Sequence, residues 1–138
     1  MMIEDNEVDS MRARKALAGA RFVNEISEFE FAEAALESLR NPDNPIPDLI
    51  LLDLNLPGMT GQEFLAAIKA EVPLKRIPVV ALTTSETDQD ILSSWDLGVV
   101  GYIVKPVTLA RLAEVMNQLT GLYFEMIALP SHDQIIQK

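Results

Sequence analysis

Acidic side chains stand at two points of the sequence where a short apolar run ends. Glu4 and Asp5 follow residues 1–3, and Asp53 follows residues 50–52. Three carboxylates gathered in one pocket repel one another strongly unless a cation lies among them. Because every ligand would be an oxygen, a hard ion is favoured, and Mg²⁺ with several retained waters fits best. These residues therefore predict a magnesium site, provided that the fold brings them together.

One carboxylate of such a cluster can also act as a nucleophile. Its attack on phosphorus gives an aspartyl phosphate. This transfer needs alignment and positive charge around the equatorial oxygens more than it needs acid–base chemistry. A bound Mg²⁺ and the ammonium of Lys105 would supply that charge, and the hydroxyl of Thr83 would donate a hydrogen bond to one oxygen. The residue types therefore fit a phosphoryl acceptor.

The apolar pattern predicts the elements that carry these residues. Short apolar runs at 50–52, 77–82 and 99–104 are typical of parallel strands that are covered on both faces. Residues 1–3 indicate the end of another strand, and residues 21–26 are a weaker candidate. Helical spacing predicts five helices, marked by Ala13, Ala16, Leu17 and Ala20; Ala32, Ala35, Leu36 and Leu39; Phe64, Leu65 and Ile68; Ile91, Leu92 and Trp95; and Leu109, Leu112, Ala113 and Met116.

The alternation of strands and helices predicts an α/β fold with a parallel sheet between two layers of helices. In such a sheet, ligands bind beyond the carboxyl ends of the strands, where the strand order reverses. The residues at those ends are Glu4-Asp5-Asn6, Asp53-Leu54-Asn55, Thr83-Thr84 and Lys105-Pro106. We therefore expect them to meet at one rim of the sheet.

Four separated motifs resemble the receiver family of bacterial response regulators. They are residues 3–6 (IEDN), 51–61 (LLDLNLPGMTG), 79–83 (VVALT) and 101–106 (GYIVKP). The resemblance, which runs from Ile3 to about Leu119, implies a doubly wound, flavodoxin-like sheet of five parallel strands in the order 2-1-3-4-5. Residues 74–78 (LKRIP) and 122–130 (LYFEMIALP) are similar to stand-alone regulators that are paired with phytochrome-type histidine kinases.

The resemblance also implies roles for the acidic residues and their neighbour. Asp53 would be the phosphoacceptor, and Asp5 would bind Mg²⁺ (or Mn²⁺) directly. Glu4 would act on the metal mostly through water, and Asn55 would contribute its backbone carbonyl. These four residues are the metal ligands that the family predicts.

Four further roles follow from the same resemblance. Lys105 would pair with the phosphoryl group, and Pro106 would fix the backbone after it through a peptide bond that is often cis in the family. Thr83 and Tyr102 would form a switch pair, in which the hydroxyl moves toward phosphate and the ring turns inward. The change would reach the surface formed by the fourth helix, fifth strand and fifth helix of the predicted pattern.

Composition limits the partners. The formal charge is −10, from 21 acidic and 11 basic residues, and such a field repels nucleic acid and anionic membranes. The sequence has no cysteine and no apolar run of the about 18 residues that span a bilayer, and we expect no secretory signal because residues 1–5 (MMIED) lack a basic stretch and a long apolar stretch. We expect a cytoplasmic protein that binds other proteins.

The length of 138 residues fits one domain. We expect a receiver domain at 1–122, a helical extension and tail at 123–138, and no output domain. The expected partners are a histidine kinase, a downstream protein and a second copy of the chain, bound through the surface of the fourth helix, fifth strand and fifth helix. The protein would not be an enzyme beyond its own phosphorylation and dephosphorylation.

Three alternatives and one irregularity remain open at this point. A haloacid-dehalogenase-type phosphatase needs an Asp two residues after the nucleophile, where this chain has Asn55. An FMN-binding flavodoxin has a hydroxyl-rich loop after its first strand, where this chain has residues 4–7 (EDNE). A pseudo-receiver would keep the fold without being phosphorylated.

The first strand has three residues before Glu4 instead of about five. Either the start of the chain is trimmed or misassigned, or the first strand is shorter or displaced.

Overall fold

Five parallel strands form the centre of the fold. The structure is a computed structural model that describes residues 1–19, 25–84, 96 and 98–119. The strand order is β2-β1-β3-β4-β5, which confirms the predicted fold class and order. The strands are β1 (Met2–Ile3), β2 (Glu28–Phe29), β3 (Ile50–Asp53), β4 (Val79–Thr83) and β5 (Gly101–Val104).

Among the described residues, four helices cover the two faces of the sheet. They are α1 (Glu7–Ala18), α2 (Ala32–Arg40), α3 (Gly61–Lys69) and α4 (Leu109–Leu119). Helix α4 is the fifth helix of the predicted pattern, because the fourth, marked by Ile91, Leu92 and Trp95, lies outside the described residues. The predicted extension at 123–138 also lies outside them. No helix in the described part of the chain combines the length and apolarity needed to cross a membrane.

Neighbouring residues of the central strands pack into opposite cores. Met2 and Leu51 lie in the core under α1 and α4, whereas Ile3 and Leu52 lie in the core under α2 and α3. This alternation follows from the two-residue repeat of a strand. Both faces of β1 and β3 are buried, so both sets of residues must be apolar. The continuous apolar runs therefore mark the centre of the sheet, and the polar residue that ends each run marks its rim.

The first strand is short rather than displaced. It pairs in parallel with β2 on one side and β3 on the other, and both of its residues are fully buried. Backbone hydrogen bonds continue past its ends, since Leu51 N donates to Met1 O at 2.9 Å and Glu4 N donates to Phe29 O at 3.0 Å. The pairing therefore reaches Glu4 and fixes its backbone in the sheet.

The second strand is Glu28–Phe29. Of the weaker strand candidate at 21–26, residues 21–24 lie outside the described residues, and residues 25 and 26 are not part of a strand. This strand lies at the edge of the sheet, where one side chain can remain exposed. Glu28 is exposed and accepts hydrogen bonds from Arg14 Nε at 2.7 Å and Arg14 Nη2 at 2.8 Å. The apolar pattern could not predict this strand, because an edge strand can contain a charged residue and needs no continuous apolar run.

The predicted apolar stripe of the last helix was wrong at two positions. Leu112 and Met116 are buried, but Leu109 is half exposed and Ala113 is exposed. Val115 takes their place in the core. The buried residues have the spacing i, i+3, i+4 that one face of a helix allows.

Helix α3 begins with a capping box directly after the loop that follows Asp53. The Thr60 hydroxyl accepts from Glu63 N at 3.1 Å, and Thr60 N donates to Glu63 Oε1 at 2.9 Å. Thr60→Ala is expected to lower the free energy of unfolding by about 1 kcal/mol, because the first turn loses its side-chain cap. Urea denaturation measures the change. Thr60→Ser keeps the hydroxyl, and an equal loss in that variant would contradict the explanation.

Candidate functional site

Three acidic residues lie together at the carboxyl end of the sheet. Glu4 and Asp53 are each 3% exposed, whereas Asp5 is exposed. One carboxylate oxygen of each residue lies within 4.8 Å of the other two. The sheet explains this arrangement. Ile3 pairs with Leu52, so the next residue on each side, Glu4 after β1 and Asp53 at the end of β3, lies at the same level. The acidic residues at the ends of β1 and β3 therefore lie together, as the sequence predicted.

The ammonium group of Lys105 lies among carboxylates. Its Nζ atom is 2.6 Å from Glu4 Oε1, 3.1 Å from Asp53 Oδ2 and 3.1 Å from Asp9 Oδ2. The lysine side chain is 11% exposed. An ammonium has three N–H donors and no acceptor, so three surrounding carboxylates can occupy all of its donors.

The backbone on both sides of Lys105 is also held. Lys105 N donates to Thr83 O at 2.7 Å, which extends the pairing of β4 with β5 by one residue. Arg111 Nη1 donates to Val104 O at 2.6 Å and is 3.4 Å from Pro106 O. The peptide bond between Lys105 and Pro106 is cis. The lysine therefore projects from a well-anchored segment.

Asp9 is a residue of this site that sequence reasoning missed. It lies in the first turn of α1, where its backbone N donates to the side chain of the N-cap residue Asn6 at 2.9 Å. Acidic residues are common in first turns because they interact favourably with the helix dipole. The sequence therefore offered an ordinary explanation for Asp9, and only the position of α1 on the sheet brings it to Lys105.

Burial and neighbouring charges shift the pKa values of two of these groups. Burial, with a hydrogen bond to Asp53, raises the pKa of the Glu4 carboxyl to about 7, and the bond to Lys105 opposes the rise only in part. Burial lowers the pKa of Lys105, but the hydrogen bond to Glu4 and the charge of Asp53 outweigh it and raise the pKa overall. The ammonium therefore stays charged, while the carboxylate of Glu4 is poorly stabilised.

The acidic cluster fits a divalent cation. Its donors are carboxylate oxygens, which suit Mg²⁺ and Mn²⁺. Glu4 Oε1 is buried, and within the described part of the chain its charge is offset only by the Lys105 ammonium at 2.6 Å. Asn55 is adjacent, since its N–H donates to Asp53 Oδ1 at 2.9 Å. A cation with its bound waters would satisfy the incompletely paired oxygens.

The two expected switch residues lie on neighbouring strands. Thr83 is fully buried at the end of β4, one residue beyond Leu82, which pairs with Asp53. Tyr102 pairs with Ala81, is half-buried and packs against the core under α2 and α3. The structure thus puts Thr83 next to the acidic rim and Tyr102 lower on β5. Their switch roles stay predictions.

Comparison with known proteins agrees with this architecture. Residues 1–117 match the family described as the response regulator receiver domain. The chain is 36% identical over 135 residues to the response regulator Rcp1 of Synechocystis sp., with 95% of this chain and 92% of Rcp1 covered. The Mn²⁺-bound structure of Rcp1 has a TM-score of 0.73 at 35% identity, covering 91% of this chain and 94% of Rcp1. The phosphorylated cyanobacterial phytochrome response regulator RcpA has a TM-score of 0.72 at 38% identity, covering 94% and 95%.

The fold and its acidic rim define a signalling domain of the two-component type. The chain belongs to the response regulator receiver domain family, and its relatives include phytochrome response regulators. The predicted family and the narrower resemblance are both confirmed. The roles of individual residues at the rim remain predictions.

Proposed function

We propose that the chain is a Mg²⁺-dependent phosphorylation switch whose phosphoacceptor is Asp53. The observation that carries the proposal is the buried Asp53 carboxylate with the Lys105 ammonium 3.1 Å away and two further carboxylates beside it. Two related structures support it, since that of Rcp1 is Mn²⁺-bound and that of RcpA is phosphorylated.

The chain's own residues would carry out the transfer. A carboxylate oxygen of Asp53 forms a bond to phosphorus while the bond from phosphorus to the donor breaks, and the donor keeps the electron pair of that bond. The donor would be a phosphohistidine of a partner kinase, which the relatives suggest is of the phytochrome type. Lys105 would stabilise the charge on the phosphoryl oxygens, and the Thr83 hydroxyl would donate a hydrogen bond to one of them.

Glu4, Asp5, Asp53 and Asn55 would hold the cation. Bound there, Mg²⁺ would supply additional positive charge to the phosphoryl oxygens. The buried position of Glu4 and Asp53 supports this assignment, because a cation offsets the repulsion between carboxylates in a site with little solvent.

The output would be a changed protein surface. Movement of Thr83 toward the phosphoryl group would alter β4, and Tyr102 would carry the change to β5. The affected surface would be formed by β5, α4 and the helix predicted around Ile91, Leu92 and Trp95, and it would bind a downstream protein and a second copy of the chain. A cytoplasmic location is part of the same proposal.

Intact mass after incubation with acetyl phosphate and Mg²⁺ tests the proposal. We expect one added phosphoryl group on the wild-type chain and none on Asp53→Asn, because the amide is not a nucleophile toward phosphorus. Asp43→Asn, in an exposed loop, is the matched control and should be phosphorylated normally. An unmodified wild-type chain would indicate a pseudo-receiver, and steady hydrolysis of a phosphomonoester would favour a haloacid-dehalogenase-type phosphatase.

A further inference from the structure

Asp9 is the only one of the three carboxylates around the Lys105 ammonium that stands outside the acidic cluster, as far as the described residues show. Glu4 and Asp53 belong to the group of carboxylates that could hold a metal ion, and Asp9 does not. A divalent cation bound between Glu4 and Asp53 would take up their charge and would repel the ammonium. Asp9 would then be the remaining anion beside Lys105.

The position of Asp9 relative to the cluster is fixed by a short chain of hydrogen bonds. Asn6 N donates to Glu4 Oε2 at 3.0 Å, and Asp9 N donates to Asn6 Oδ1 at 2.9 Å. These bonds tie the end of β1 to the first turn of α1. Asp9 Oδ2 in turn accepts a hydrogen bond from Lys105 Nζ at 3.1 Å. The aspartate is therefore an anchored group that can hold a long, flexible side chain.

We infer that Asp9 is a positioning residue, the counter-ion that keeps the Lys105 ammonium in the pocket beside a bound divalent cation. This inference rests on the proposed function, because it assumes that the cation and the ammonium must be present together. It assigns Asp9 no contact with the cation or with the phosphoryl group. Asp9 acts through Lys105, by offsetting the repulsion between two positive charges.

A double-mutant cycle on cation affinity tests the inference without measuring phosphorylation. Isothermal titration of Mn²⁺ into the metal-free chain would compare the wild type, Asp9→Asn, Lys105→Met and the double variant. We expect Asp9→Asn to weaken Mn²⁺ binding on the order of tenfold in the wild-type background, as coupled charges in one network do. In the Lys105→Met background the same change should cost less than about twofold, because no ammonium is left to neutralise.

Two controls separate positioning from a general effect of charge. Glu7→Gln removes one negative charge from the exposed first turn of the same helix and should change Mn²⁺ affinity less than about twofold. Asp9→Glu keeps a carboxylate and should recover most of the lost affinity. If Lys105→Met does not fold, Lys105→Gln takes its place in the cycle.

Several results would overturn the inference. They are equal weakening by Asp9→Asn in both lysine backgrounds, unchanged affinity in Asp9→Asn, and no Mn²⁺ binding by the wild type. Failure of the proposed function gives a different result. In that case the wild type binds Mn²⁺ with the expected coupling between Asp9 and Lys105, yet acetyl phosphate leaves its mass unchanged.

Discussion

Replacing Gly61 by alanine is expected to lower the free energy of unfolding by about 3 kcal/mol and to weaken cation binding. A Cβ atom at position 61 would lie 2.8 Å from Leu54 Cα and 2.9 Å from Asp53 O. Both of these atoms belong to the backbone, so no side-chain rotation can relieve the clash. The segment that carries Asp53 would have to move, and its carboxylate would move with it.

Gly101→Ala is the matched control for this prediction. Gly101 is also buried, but its nearest contact would be Val115 Cγ1 at an ordinary distance of 3.4 Å. We expect its stability to change by about 0.5 kcal/mol at most. Urea denaturation with and without Mg²⁺ measures both quantities. Equal losses in the two variants, or normal Mg²⁺ stabilisation of Gly61→Ala, would contradict the explanation.

The residues at the rim of the sheet could be predicted because their positions depend on strand ends alone. Glu4, Asp53 and Lys105 each follow an apolar run, and the carboxyl ends of neighbouring parallel strands meet. Asp9 could not be predicted in the same way. Its place beside Lys105 depends on how α1 is rotated against the sheet, and that rotation is set by packing and by the Asn6 cap.

The fold was predictable where burial is complete and less so at its edges. Residues 50–52 are apolar because both faces of β3 are covered. The second strand, Glu28–Phe29, has one exposed face. The ion pair between Glu28 and Arg14 produces no pattern in the sequence that predicts a strand. Ala113 is compatible with either side of a helix, so its small side chain did not indicate that α4 turns it to solvent.

Lys105→Met is expected to lower the free energy of unfolding by about 2 kcal/mol or more in metal-free buffer, because it leaves buried carboxylates without a cation. Glu4 and Asp53 would lose their contacts at 2.6 Å and 3.1 Å. Methionine keeps an unbranched apolar chain, so the packing of the lysine stem is largely retained. The loss therefore reports on charge and not on a cavity.

A divalent cation should reverse this loss, and the reversal distinguishes the electrostatic explanation from damage to the fold. Without the ammonium, Mg²⁺ meets no repelling neighbour, so it should bind the variant more tightly and stabilise it more than the wild type. Urea midpoints measured across a Mg²⁺ series give both effects. Lys15→Met, on the exposed last turn of α1, should show neither. If Mg²⁺ stabilised the wild type and Lys105→Met equally, the ammonium and the cation would not share one pocket, and the electrostatic basis of the proposed switch would be lost.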